Sequence, residues 1–218
     1  MRMRLGNRLV VLCSASVLVA GCGESKKAEP DPESTPRVSI VQAGAPGQAS
    51  RPLSEEEAAA APVIEHTQAD VDFMRGMMHH HQQAVVMTEW VPDRTSNRSV
   101  RLMAKRMGSS QEVEIEQMWK WLEDRGFDPA DHHHAHAQMP GMLTSGQLAR
   151  LKAAKGKAFD RLFLRSMTMH HEGALTMVRE LQDAGGGAEA EIGNFTRHVE
   201  ADQQIEIDRM RELLSEIA

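Results

Sequence analysis

Residues Asp70 to Met87 and Asp160 to Met177 align without a gap at a constant offset, and this repeat constrains the fold more than any other feature of the chain. Asp70 matches Asp160, Phe73 matches Phe163, Met77 matches Met167, His80-His81 match His170-His171, Ala84 matches Ala174 and Met87 matches Met177. A second matched block follows each copy: Gln111, Glu114, Ile115 and Met118 correspond to Gln203, Glu206, Ile207 and Met210. One helix pair has been duplicated. A pair of this kind cannot bury its apolar face alone, and two copies bury theirs against each other, so the expected fold is all-α, a four-helix bundle.

Punctuation residues set the expected elements. Thr67 with Asp70 three residues on has the form of a helix N-terminus. The apolar periodicity that follows runs to Trp90, and Pro92 ends it. A second helix is expected from about Ser96 to Arg125 with Gly126 at its C-terminus, then a loop over 126–143. Thr144 and Gln147 form a capping box opening a short helix, and Gly156 separates it from a third long helix over about 157–184. Gly185 to Gly187 break the chain before a fourth helix over about 188–217, and no strand of useful length is expected.

The inward stripes carry unusual chemistry for a core. Phe73, Met77, His80, Ala84 and Met87 recur at steps of four and three, as do Phe163, Met167, His170, Ala174 and Met177. His81 and His171 lie one residue on and border the same face. The second and fourth helices place Met103, Met107, Gln111, Glu114, Met118 and Trp121, and Phe195, Val199, Gln203, Glu206, Met210 and Leu213, on theirs. A buried Glu or Gln needs a partner. Glu114, Glu206, Gln111 and Gln203 either hydrogen-bond the histidines as packing groups or hold imidazoles that bind a metal on their other nitrogen. Methionines such as Met74 also fill irregular cores well, so a methionine stripe alone does not mark a site.

The loop is a second candidate. His132, His133, His134 and His136 form a histidine tract, followed by Met139-Pro140-Gly141-Met142. Such tracts bind divalent metals, and paired thioethers suit monovalent copper.

Both cysteines of the 218-residue chain fall in its first 22 residues. Arg2, Arg4 and Arg8 precede an apolar run, Leu9 to Ala20, too short to span a membrane comfortably. Residues 1–21 are read as a signal peptide, and Val19-Ala20-Gly21-Cys22 resembles a lipobox, which implies cleavage before Cys22 and its lipidation. Residues 22–65 then form an anchored cysteine and flexible linker, and 66–218 the bundle. Six of nine prolines lie in 23–62, although Glu55–Ala61 has helical character. A tether of about 40 residues has an end-to-end distance of roughly 35 Å, so the folded part hangs off the membrane. The mature chain carries no thiol. In an oxidising compartment thioether and imidazole outlast thiolate as ligands, which matches a chain of 15 Met and 11 His in which all of these but Met1 and Met3 lie beyond residue 21.

The doubled Asp-x-x-Phe-x-x-x-Met-x-x-His-His-x-x-Ala-x-x-Met pattern, the intervening Met-Pro-Gly-Met and the Gln-x-x-Glu-Ile-x-x-Met helix resemble the bacterial domain-of-unknown-function 305 family over roughly residues 66–217. The resemblance implies a ferritin-like bundle, often exported, with copper-binding members linked to copper tolerance. By position it implies Met77, His80, His81, Met87, Met139, Met142, Met167, His170, His171 and Met177 as candidate ligands. This chain adds His79 and the loop histidines, and has Met169 where the first repeat has His79.

The expected function is an extracytoplasmic, lipid-anchored protein that binds or buffers copper, as Cu(I) or Cu(II), without catalysis. A structural or partner-binding bundle without metal is the rival reading. A di-metal oxidase needs four helix carboxylates including Glu-x-x-His pairs, which the first and third helices lack. A net charge of −6 without clustered Lys/Arg gives no nucleic-acid footprint, and no nucleophile-base triad, phosphate loop or dinucleotide fingerprint is present. The expected partners are the membrane, through the lipid on Cys22, and a metal ion.

Overall fold

In the computed structural model, residues 41–42, 48–60, 63–130 and 139–217 are described. Two compact units divide the chain, at residues 1–61 and 62–218. In the first, Val41–Gln42 (β1) pairs antiparallel with Arg51–Pro52 (β2), and Glu55–Ala59 forms a short helix, α1. Ser54 and Glu57 cap that helix reciprocally, and Arg51 bonds Glu57 at 3.0 Å. The two-residue ladder is an element that linker composition did not announce. The helix falls within the stretch expected to have helical character.

The second unit is the four-helix bundle: α2 (Gln68–Glu89), α4 (Arg98–Asp124), α6 (Gly156–Asp183) and α7 (Ala190–Ile217), with short helices α3 (Val91–Arg94) and α5 (Ser145–Ala153) in the connections. Thr67 caps α2, and Asp70 completes the box by accepting from the Thr67 amide at 2.7 Å. The other Asp70 oxygen accepts from the Gly187 amide at 2.7 Å, tying the start of α2 to the α6–α7 turn. Asn97 caps α4 through Ser99 and Val100, while Gly126 ends that helix at φ +77°, where a side chain would be strained. Pro92 does not simply end a helix. α2 already stops at Glu89, and Pro92 sits in the first turn of α3, where its missing N–H costs nothing.

α2 packs on α4, α6 on α7, and α2 on α6, while α4 and α7 touch little. The core falls into two halves. One holds Ala84, Met87, Met103, Met107, Phe163, Met167 and Met210. The other holds Phe73, Met77, Met118, Ala174, Met177 and Phe195. Met77 thus shares a half with Met177, and Met87 with Met167, so α2 and α6 run antiparallel, and α4 ends in the core half opposite the one where α6 begins. This is the ferritin-like arrangement, with one long crossover between hairpins. Every residue of the four inward stripes is buried.

Candidate metal centre

Between the core halves lies a buried polar row that crosses the bundle. α2 is sandwiched between α4 and α6, so consecutive residues, about 100° apart around the helix, face different neighbours. His80 faces α6, where its ring lies against His170 with centroids 3.8 Å apart and planes tilted by 36°. His81 faces α4, where its Nε2 meets Glu114 Oε2 at 2.5 Å. The duplicated hairpin repeats this on the other side: His171 Nε2 meets Glu206 Oε2 at 2.8 Å. The row reads Glu114, His81, His80, His170, His171, Glu206. His81 and His171 are 0% exposed, deeper than the border position their spacing suggested. The cause is tertiary, since α2 and α6 are each covered on two faces.

His80 Nε2 donates to the Pro140 carbonyl at 3.0 Å, and His81 and His171 spend Nε2 on carboxylates. A neutral ring that donates from Nε2 keeps its lone pair on Nδ1. Those three Nδ1 atoms, and both nitrogens of His170, are buried without a hydrogen-bond partner, as are Gln111 Oε1 and Nε2 and Gln203 Oε1. Burial pushes His80 down to about 3, reinforced by His81 and His171 and opposed by the Pro140 carbonyl. Burial first, then the neighbouring histidines, holds His170 well below the ordinary imidazole range. These two rings are neutral at physiological pH and present nitrogen lone pairs, the form in which imidazole binds metal. Donation of the far N–H to a carboxylate or carbonyl is the support that metal-bound histidine uses elsewhere.

Among the described residues, no three His, Cys, Asp or Glu side chains converge on one point. A site built of imidazole and carboxylate alone, as for zinc, is therefore not formed there. The donors that flank the row are sulfur: Met77 and Met177 in one core half, Met87 and Met167 in the other. A set of neutral nitrogen and thioether sulfur fits a soft ion.

Met139 and Met142 belong to a tight turn closed by Met142 N to Met139 O at 3.3 Å. Met139 packs against the Met77/Met177 half. Cys22, expected to carry a lipid, and His132, His133, His134 and His136 lie outside the described residues. Sequence reasoning missed the groups that hold the turn. Gln83 Nε2 donates to Leu143 O at 3.0 Å, and Leu143 N donates to Gln83 Oε1 at 2.7 Å. On α6, a methyl group placed on Gly173 would lie 2.1 Å from Pro140 O, so turn and helix meet backbone to backbone. Positions 83 and 173 correspond in the repeat, and the signal was there as a mismatch within a matched block.

Fold and row together define a class: a duplicated helical hairpin bundle with a buried histidine layer between methionine-rich core halves. The chain belongs to the family of the domain of unknown function DUF305, whose model matches residues 70–214. It is similar to a DUF305 fragment from Deinococcus radiodurans, at 30% identity and TM-score 0.63 over 70% of this chain and 99% of that one. It is also similar to a DUF305 protein from Streptomyces coelicolor assigned as secreted, at 30% identity and TM-score 0.62 over 68% and 93%. CopM in its Cu(II)-bound form is similar at 25% identity and TM-score 0.58 over 68% and 97%. CopM in an Ag-bound form matches at 25% and 0.55 over 67% and 96%. An uncharacterized protein of Acanthamoeba polyphaga mimivirus is 34% identical over 62 residues, and the match spans 27% of this chain and 41% of the viral one. Among the described residues no helix is long and apolar enough to cross a membrane.

Proposed function

We propose that this protein is an extracytoplasmic, lipid-anchored, non-catalytic copper-binding protein that holds or buffers the metal through histidine nitrogen and methionine sulfur. The observation that carries the reading is the polar row itself. Buried nitrogens of His80, His81, His170 and His171 lack partners, while Nε2 of His80, His81 and His171 is held from behind by an acceptor. An apolar core that served packing alone would not keep such atoms, each costing about 1–3 kcal/mol. The similar CopM structures with Cu(II) and Ag bound support the choice of metal. The likeness to a protein assigned as secreted, and the lipobox at Cys22, support the location.

Anaerobic Cu(I) titration of residues 63–218 against a chromogenic competitor tests the reading. Tight binding that is lost when His80, His81, His170 and His171 are all replaced supports it; failure to withdraw Cu(I) from the competitor ends it. The rival, a bundle without metal, draws on the two His–Glu bonds, which satisfy part of the row without any ion. It requires the wild type and the His80→Ala/His170→Ala variant to respond identically to copper in melting temperature.

A further inference from the structure

Position 83 of α2 corresponds to position 173 of α6, and where the 139–143 turn docks on these two the copies have diverged in complementary ways. Gln83 offers an amide that bonds both backbone groups of Leu143. Its counterpart Gly173 offers no side chain, and Pro140 O and Gly141 Cα occupy the space a methyl would take, at 2.1 Å and 2.6 Å. Gly141 takes φ +76° to lie against the α6 backbone. His80 Nε2 adds a third bond, to Pro140 O.

The consequence is the placement of Met139. A methyl group on Gly76 would lie 3.4 Å from Cε of Met177 and 3.6 Å from Sδ of Met139, so two thioethers from different elements close over the same glycine. Met139 and Gly76 are only partly buried, whereas Met87 and Met167 at the opposite side of the row are both 0% exposed. The two methionine-bearing sides of the histidine row are therefore unequal: one is sealed at Met87 and Met167, and the other reaches the surface at Met139, beside the methyl of the buried Met177.

We propose that Gln83 and Gly173 are positioning residues for soft-metal capture: by docking the 139–143 turn they hold Met139 beside Met177 as the outer, solvent-reached thioether pair through which a monovalent ion gains the histidine row. This rests on the copper-binding reading and adds to it a route and two residues that never touch the metal. Turn and row are coupled, since the carbonyl that His80 bonds belongs to the same turn that carries Met139.

The test uses residues 63–218 labelled with 13C at methionine methyls, titrated with Ag(I) and followed by NMR, with methyls assigned by single Met→Leu variants. In wild type, the Met139 and Met177 methyls shift first, below one equivalent. Gly173→Ala puts a methyl where Pro140 O sits, yet favours the helix that carries it; Gln83→Leu removes both bonds without adding a sulfur. Each variant is expected to keep its helical circular dichroism, to lose the early Met139 and Met177 shifts, and to weaken Ag(I) binding at least tenfold. Early shifts at Met139 and Met177 that persist in both variants overturn the inference alone. Early shifts at Met87 and Met167 instead overturn the route. A wild type in which no methionine methyl responds overturns the copper reading and this inference together.

Discussion

His80 and His170 lie ring against ring, centroids 3.8 Å apart and planes tilted by 36°, each contributed by the same position of its own repeat. The pseudo-twofold axis of the duplicated hairpin thus runs between two imidazoles. Two imidazolium ions could not share that contact in an apolar core, and burial keeps both rings neutral. Duplication supplied the second ring because a residue on the axis meets its own copy there, whereas His81 and His171, off the axis, face Glu114 and Glu206.

Acid is expected to destabilise the bundle before its carboxylates titrate. His80 and His170 have folded-state values below the ordinary 6.5, so the unfolded chain binds more protons than the folded one and stability falls as pH drops beneath 6.5. Each ring contributes about 1.4 kcal/mol per pH unit in that window. Urea unfolding at pH 7, 6 and 5 checks this. Replacement of His170 by Phe should remove one of the two contributions, and a flat profile between pH 6.5 and 5 would contradict the assignment.

Glu114 and Glu206 should behave as equals. Glu114→Leu leaves His81 Nε2 buried with no acceptor, and Glu206→Leu does the same to His171. Each substitution is expected to lower stability by about 1–3 kcal/mol and to weaken copper binding by roughly 10–100-fold. Chemical denaturation and a copper competition titration on the same samples check both halves.

Methionine-to-leucine changes separate packing from ligation. Met77, Met87 and Met167 are 0% exposed and Met177 is 7% exposed, and leucine is close to methionine in volume. Each single replacement should cost less than about 1.5 kcal/mol. If the sulfurs serve as ligands, Cu(I) affinity falls all the same; if they serve only as filler, affinity stays at the wild-type value.

Asp70 joins two distant turns, capping α2 while accepting from Gly187. Asp70→Ala is expected to cost about 1–3 kcal/mol, from the lost cap and the part-buried Gly187 amide left without its acceptor. The effect should be on stability, with copper binding of the folded protein unchanged, as read from melting curves alongside titrations.

The long helices, the caps at Thr67 on α2 and at Thr144 on the short α5, and all four inward stripes were legible because each rests on side-chain type at fixed spacing. The fate of His81 and His171 was not, since full burial comes from a second neighbouring helix that one-dimensional periodicity does not contain. α3 was missed because Pro92 reads equally as a helix stop and as a first-turn residue. Gln83 and Gly173 were hidden for a different reason. Their partners are the backbone groups of Pro140, Gly141 and Leu143, which have no sequence signature, and alignment treats their difference as ordinary divergence.

The central claim is that the duplicated layer offers nitrogen and sulfur together to one soft ion. X-ray absorption at the copper edge, on residues 63–218 loaded anaerobically with one equivalent of Cu(I), reads those neighbours directly. The account predicts both sulfur and imidazole scatterers, the imidazole signal disappearing when His80, His81, His170 and His171 are replaced. A first coordination sphere of oxygen and nitrogen alone, or a spectrum that the fourfold histidine variant leaves unchanged, would contradict it.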